Sequence, residues 1–429
     1  MANRTFRLLP LAASALLLLG VAQAQGAVTI DFYFPEATAN NAQAIFEEYA
    51  AKFNEKFPNI TINVAYQGSY TDNRVKIQTE LAAGAGPDVA VMLTTDLFSF
   101  IEADTIVPAQ QFIDQMEDGE AFVANFFPAF LANSLDEEGT VWAIPFQRST
   151  PVLYYNADLL EAAGLSVPRN QDELRAVAKA LTTPERHGLW LPSEGFPIWL
   201  FSAAAIANGQ NLSSTDPCEV TFATDAAQAA LDYWLSLPAE GVMPAGLLSW
   251  GDAPQLFIDG KAAMIAHTTG SLTRILNNAP FKVGVAFLPF GPADENGEGY
   301  GAPTGGGNLY MFKNSSPEEQ AAAWEWIKFL ASDEIQADWG ARTGYVAATL
   351  GAWETEPLAS LVKEKPQYAV ARDQLAHADK EFSAFRTIDL QGIINTALSD
   401  IISGGAPNDG TRLKVAQEQI DGLLAEFCQ

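Results

Sequence analysis

Ile144-Pro-Phe-Gln-Arg-Ser-Thr-Pro-Val-Leu-Tyr-Tyr-Asn156 decides the fold of this chain. An apolar strand runs to Phe146, a polar segment Gln147-Arg148-Ser149-Thr150 follows, and after Pro151 a second apolar strand closes on Asn156. Two strands joined by a polar pivot are what a chain needs to pass from one lobe to another beside a solvated cleft. The pivot also places a guanidinium and two hydroxyls there, groups suited to gripping a polar or anionic small molecule.

Outward from this pivot, short runs rich in Val, Ile, Phe and Tyr alternate with longer stretches of helical period, the pattern of α/β layering. Residues 29–34, 61–66 and 88–93 read as strands. Between them, residues 40–57 and 71–84 read as helices, the second ended by Gly84. This β-α-β-α-β opening predicts a mostly parallel first sheet. Beyond the pivot, strands are expected at 152–156, 262–266, 283–289 and 308–312, and helices at 159–164, 171–181 and 224–237. Ser315-Ser316-Pro317-Glu318-Glu319 opens a long helix: Ser316 suits the N-cap, Pro317 the first helical position, and Glu319 completes a capping box.

A chain of 429 residues is too long for one core, so two lobes are expected. Residues 1–24 read as a secretory leader: Arg4 and Arg7 precede an apolar run, and Ala22-Gln23-Ala24 forms a cleavage site with the cut after Ala24. No later run approaches the ~18 apolar residues of a membrane span, which predicts no direct membrane insertion. Loss of Arg4 and Arg7 takes the formal charge from −28 to −30. So acidic a surface repels phosphate backbones, which argues against nucleic acid as a partner. It also opposes steering of an anionic ligand, so a phosphate site would need locally concentrated positive charge. Cys218 and Cys428 would meet an oxidising compartment; a single disulfide or two free thiols both remain open.

Signals of catalysis are weak. The histidines are His187, His267 and His377, none in an i, i+4 pair, and HExxH, GxSxG, P-loop and EF-hand patterns do not occur. Gly297 to Ala302 fits GxGxxA, but Pro303 and Gly305 to Gly307 follow it, so no helix N-terminus would receive a pyrophosphate. No cofactor and no metal site are expected. A secreted glycoside hydrolase using two carboxylates is the rival from another class.

The pivot closely resembles the lobe crossover of the sugar-type (family 1) extracellular solute-binding proteins of ABC importers, in their glycerol-3-phosphate-binding branch. The likeness spans nearly the whole mature chain and is strongest at 144–156, 262–275, 283–290 and 303–312. It implies a two-lobed periplasmic-binding-protein fold, each lobe a mixed sheet flanked by helices. The implied N-lobe is 25–147 plus 303–348, and the C-lobe 148–302 plus 349–429. It further implies a periplasmic, monomeric protein that closes on a small polar or anionic solute and presents it to membrane permease subunits. No covalent chemistry is implied.

Carried over position by position, the implied ligand contacts are Tyr70 in Tyr66-Gln-Gly-Ser-Tyr70, Ser149, Thr268 (a serine in the family), Gly306 in Thr304-Gly-Gly-Gly307, Tyr345 and Arg386. Arg386 matches a phosphate-gripping arginine; its alternative is a surface residue paired with Glu381 or Asp389. Phe196 and Trp199 match two tryptophans and would form a stacking platform, with Trp250 added if the ligand were a neutral mono- or oligosaccharide. Two positions depart from the pattern. Thr94 stands where the family has a glutamate bonding glycerol hydroxyls, with Asp96 two positions on as a substitute. Arg148 replaces a small polar residue and would add a cation at the cleft. Together they favour an anionic ligand: glycerol-3-phosphate, a glycerophosphodiester or another sugar or polyol phosphate.

Overall fold

The computed structural model describes residues 27–36, 41–194 and 197–428. The leader read at 1–24 and the platform residue Phe196 lie outside them. Eleven strands are described: β1 (Val28–Phe34), β2 (Ile60–Tyr66), β3 (Val89–Leu93), β4 (Ile106–Val107), β5 (Ile144–Ser149), β6 (Pro151–Asn156), β7 (Met264–Thr268), β8 (Val283–Ala286), β9 (Ala302–Pro303), β10 (Gly305–Phe312) and β11 (Ala378–Asp379).

The first sheet runs β2-β1-β3-β10-β4, with β5 also on β10. Its β1–β2 and β1–β3 pairs are parallel, as the β-α-β-α-β opening demands. β10 arrives from far along the chain and pairs antiparallel with β3, β4 and β5, so the sheet is mixed rather than mostly parallel. The second sheet is β7-β6-β8, antiparallel throughout, with a parallel bridge Trp190–Ile265 on β7 and another, His187–Ala262, just before it.

Helix formation follows local chemistry. Ser69 caps helix Tyr70–Ala82 through a reciprocal box with Asp72. Ser316 and Glu319 form the same device at helix Pro317–Leu330, as the sequence predicts. Helix Pro197–Ala207 is apolar on all sides, and its described residues through Ala205 are buried, the condition for a helix enclosed by others. Two large apolar cores result. Phe32, Phe46, Trp326 and Trp339 centre the one under the first sheet; Leu174, Phe201, Trp234 and Leu398 centre the other.

The passage between sheets is abrupt. β5 ends at Ser149 and β6 begins at Pro151, leaving Thr150 alone between them. Two later segments lie against it: Gly306 pairs with Arg148, and the Val346 N–H donates to the Arg148 carbonyl at 2.8 Å. Three crossing segments therefore run side by side. Gln374 braces the first of them, its amide donating to Thr150 Oγ1 at 3.0 Å and to the Pro151 carbonyl at 2.8 Å, while Thr150 Oγ1 donates to the Pro303 carbonyl of the second at 3.0 Å. Beyond the third crossing, Leu358–Glu364 still packs on helix Asp333–Thr343, and the next helix, Gln367–Gln374, packs on β8.

Candidate functional site

Beside the three crossings lies a cavity of about 200 Å³. Its walls come from both sides of the pivot. β5 alternates faces, as any strand must. Ser149 therefore points into the cavity, and Gln147 donates from Nε2 to the Tyr70 hydroxyl at 2.6 Å. Tyr70 opens helix Tyr70–Ala82 with its ring 5 % exposed; burial, then the nearby Tyr345, push its phenol well above its ordinary pKa, so it stays a neutral hydroxyl. Thr268 ends β7 and lines the cavity, its Oγ1 accepting from the Gly270 N–H at 3.2 Å.

Gly306 is required by its surroundings. Its φ is +93°, and a Cβ there would sit 2.1 Å from the Gln147 carbonyl oxygen. At Gly305 a Cβ would meet the Trp199 indole at 2.6 Å. That indole lines the cavity and donates Nε1–H to the Thr304 carbonyl at 2.9 Å. Trp250 meets Trp199 edge-on at 5.6 Å between centroids and stacks on His267 at 4.1 Å. His267 is buried, its pKa pushed down to about 3, and the neutral ring contacts the Trp250 carbonyl and Ser271 Oγ. Its role is to support the aromatic wall. Tyr345 completes the set read from the sequence.

Four expected contacts require correction or qualification. Arg148 faces the opposite side of β5 from Ser149 and is fully buried. Its Nη1 donates to Asn308 Oδ1 at 3.2 Å and its guanidinium lies over the Phe130 ring. It is no cleft cation; burial lowers its pKa to about 10. Arg386 does not line the cavity either. It takes a left-handed backbone (φ 53°) at the N-cap of helix Thr387–Ile402 and pairs with Asp389 through Nε at 2.9 Å, the alternative its sequence neighbours offered. Thr94 is buried and does not line the wall itself; its Oγ1 donates to Glu381 Oε2 at 2.6 Å. Asp96 is 1 % exposed and holds Arg74 at 3.1 Å.

Arg74 and Glu381, which sequence reasoning missed, do line the cavity. Arg74 lies one helical turn beyond Tyr70, and i, i+4 spacing was the available signal. Glu381 sits in an irregular segment and offered none. Burial pushes its pKa up to about 7, against the bond from Thr94 and the field of Arg148. Burial likewise lifts Asp96 to about 6 despite Arg74. Ser202 Oγ also lines the cavity, buried and without a hydrogen-bond partner.

Glu381 removes one ground for setting aside a hydrolase, since an acid does reach the cleft. Among the described residues the wall carries no second carboxylate: Asp96 is sealed against Arg74. Among the described residues no group of His, Cys, Asp and Glu could hold a metal ion, and no helix is long and apolar enough to cross a membrane.

The model of the family described as "Bacterial extracellular solute-binding protein" matches residues 48–369. The chain belongs to this family. As a bacterial extracellular solute-binding protein it serves as the substrate-binding component of an ABC importer, not as an enzyme. It is 26 % identical over 363 residues to the sn-glycerol-3-phosphate-binding periplasmic protein UgpB of Rhizobium meliloti (strain 1021), covering 80 % of each chain. To UgpB of Yersinia pestis it is 25 % identical over 351 residues, 77 % of this chain and 76 % of that one. Solved structures share the two-lobed fold. UgpB from Mycobacterium tuberculosis in complex with glycerophosphocholine superposes with a TM-score of 0.80 at 24 % identity, covering 94 % of this chain and 99 % of that one. Maltose-bound T. maritima MalE3 gives 0.79 at 23 %, covering 92 % and 100 %.

The disulfide left open by the sequence is formed. Cys218 and Cys428 are bonded across a separation of 210 residues, with Cα atoms 5.8 Å apart.

Proposed function

We propose that this solute-binding protein captures glycerol-3-phosphate, a glycerophosphodiester or a related sugar or polyol phosphate by closing its lobes. Tyr70, Ser149, Trp199, Trp250, Thr268, Gly306 and Tyr345 are the proposed contacts. The observation that carries the reading is the composition of the cavity wall. Hydroxyls from both sides of the pivot surround an aromatic corner, and a guanidinium and a carboxylate reach the same space. The glycerol-3-phosphate-binding relatives and the glycerophosphocholine complex support the same ligand class. Enclosure from water strengthens each charge-assisted bond.

The lobes are proposed as 25–147 plus 303–348 and 148–302 plus 349–429. The packing of Leu358–Glu364 on helix Asp333–Thr343 favours a later final boundary. The protein is proposed to act as a monomer in the periplasm, its leader cut after Ala24, docking on permease subunits. A neutral saccharide is the second reading, favoured by the Trp199–Trp250 corner.

Native mass spectrometry of protein purified without denaturation would reveal a retained solute. Titration calorimetry with sn-glycerol 3-phosphate, glycerophosphocholine and maltose then separates the readings. Heat with maltose alone refutes the phosphate assignment.

A further inference from the structure

One short turn organises both charges at the cavity wall. Thr94–Asp96 follows β3 as a single 3-10 turn. Its first residue bonds Glu381, and its last holds Arg74. Arg74 rises from helix Tyr70–Ala82, whose first residues Tyr70 and Thr71 also line the wall. Asp96 takes Nη1 only from one side, and the guanidinium opens onto the cavity with its side chain 15 % exposed. The two other arginines considered for this role are spent elsewhere: Arg148 behind the pivot on Asn308, Arg386 on Asp389.

We propose that Arg74 is the residue that takes the anionic group of the ligand. The proposal rests on the phosphate reading above and narrows it. A wall that carries both a guanidinium and a carboxyl suits a phosphorylated polyol, the anion on Arg74 and hydroxyls reaching Glu381 and Ser202. Salt-bridged Arg74 is pre-aimed, which lowers the ordering cost of a flexible side chain. Among the described residues lining the wall it is the one cationic side chain, so in so acidic a protein it is where an anion would be held.

The experiment is calorimetry with sn-glycerol 3-phosphate and, separately, maltose, on the full mature chain and its Arg74→Gln, Arg74→Lys and Arg386→Gln variants. Arg74→Gln is expected to weaken glycerol 3-phosphate binding by about ten- to a hundredfold, Arg74→Lys by less, and Arg386→Gln within twofold of the parent (about the spread of repeated titrations). Thermal melts check folding; if Arg74→Gln does not fold, Arg74→Lys and the salt dependence of the parent carry the test. Parent affinity that is unmoved by salt, or an Arg74→Gln variant that binds like the parent, overturns the role of Arg74. So does a loss that falls on Arg386→Gln instead. A parent that binds maltose and not glycerol 3-phosphate overturns the phosphate reading itself, and the inference with it.

Discussion

Replacing both Cys218 and Cys428 by serine should destabilise the protein without touching the cavity. The bridge closes 210 residues of chain. In the chain-entropy description, a loop of that length restrains the unfolded state by about 5 kcal/mol at 25 °C, and measured losses of native disulfides run from about 2 to 5 kcal/mol. Unfolding entropy near 2 cal/mol/K per residue over roughly 400 residues converts about 3–5 kcal/mol into a fall in Tm of about 4–6 °C. The fall is capped because the tail is also held by packing: helix Thr411–Leu424 lies against helix Thr387–Ile402 and buries Leu413, Ala416, Ile420 and Leu424. Differential scanning calorimetry of exported protein, with and without a phosphine reductant, measures the effect. Reductant should lower the parent Tm to that of the double variant and leave the variant unchanged. Two titratable thiols in the air-oxidised parent, or a double variant melting within about 1 °C of it, would refute the reasoning.

Glu381→Gln should flatten the dependence of stability on pH. The folded protein holds the Glu381 proton more tightly than the unfolded chain does, because burial raises its pKa from 4.5 to about 7. That contribution is complete below pH about 4.5 and is lost as pH rises through about 7. Urea midpoints between pH 5 and 8 should therefore fall more steeply for the parent; parallel curves would contradict this. Gly306→Ala should lower Tm, since the left-handed backbone alone costs about 1–2 kcal/mol and the new Cβ meets the Gln147 carbonyl at 2.1 Å; a melt matching the parent would be the contrary outcome. Trp199→Phe keeps a ring in the wall but strands the Thr304 carbonyl, a loss of about 1–3 kcal/mol readable in denaturant melts followed by circular dichroism. An unchanged midpoint would show that the indole N–H is not needed.

What could be read from the sequence was local or alternating. The pivot was legible because two apolar runs, 144–146 and 151–155, flank one polar interruption, Gln147 to Thr150. The capping box at Ser316 and Glu319 needed only four residues of context. Tyr70, Ser149, Thr268, Gly306 and Tyr345 lie in short motifs, and all five line the cavity. Arg386 shows the limit of that reasoning. A motif fixes where a residue falls in the chain, whereas the left-handed backbone at Arg386 and an aspartate three residues on decide where its side chain goes. Arg148 failed through strand alternation: Ser149 facing the cavity obliges its neighbour to face away. Glu381 and Thr94 are 287 residues apart, and no local pattern ties them together. The mixed character of the first sheet, which the family resemblance implied, escaped the local β-α-β-α-β pattern, since β10 joins it from beyond the second sheet in the chain.

The side-by-side arrangement of the three crossings has a mechanical consequence. Arg148 sits in the middle strand, bonded to Gly306 on one flank and to Val346 on the other. Parallel strips fastened edge to edge behave as a leaf spring: compliant to bending about one line, stiff to shear and torsion. Under the proposed closure, such a flexure would confine the two bodies to a single arc and bring Ser149, Gly306 and Tyr345 to the same places each time.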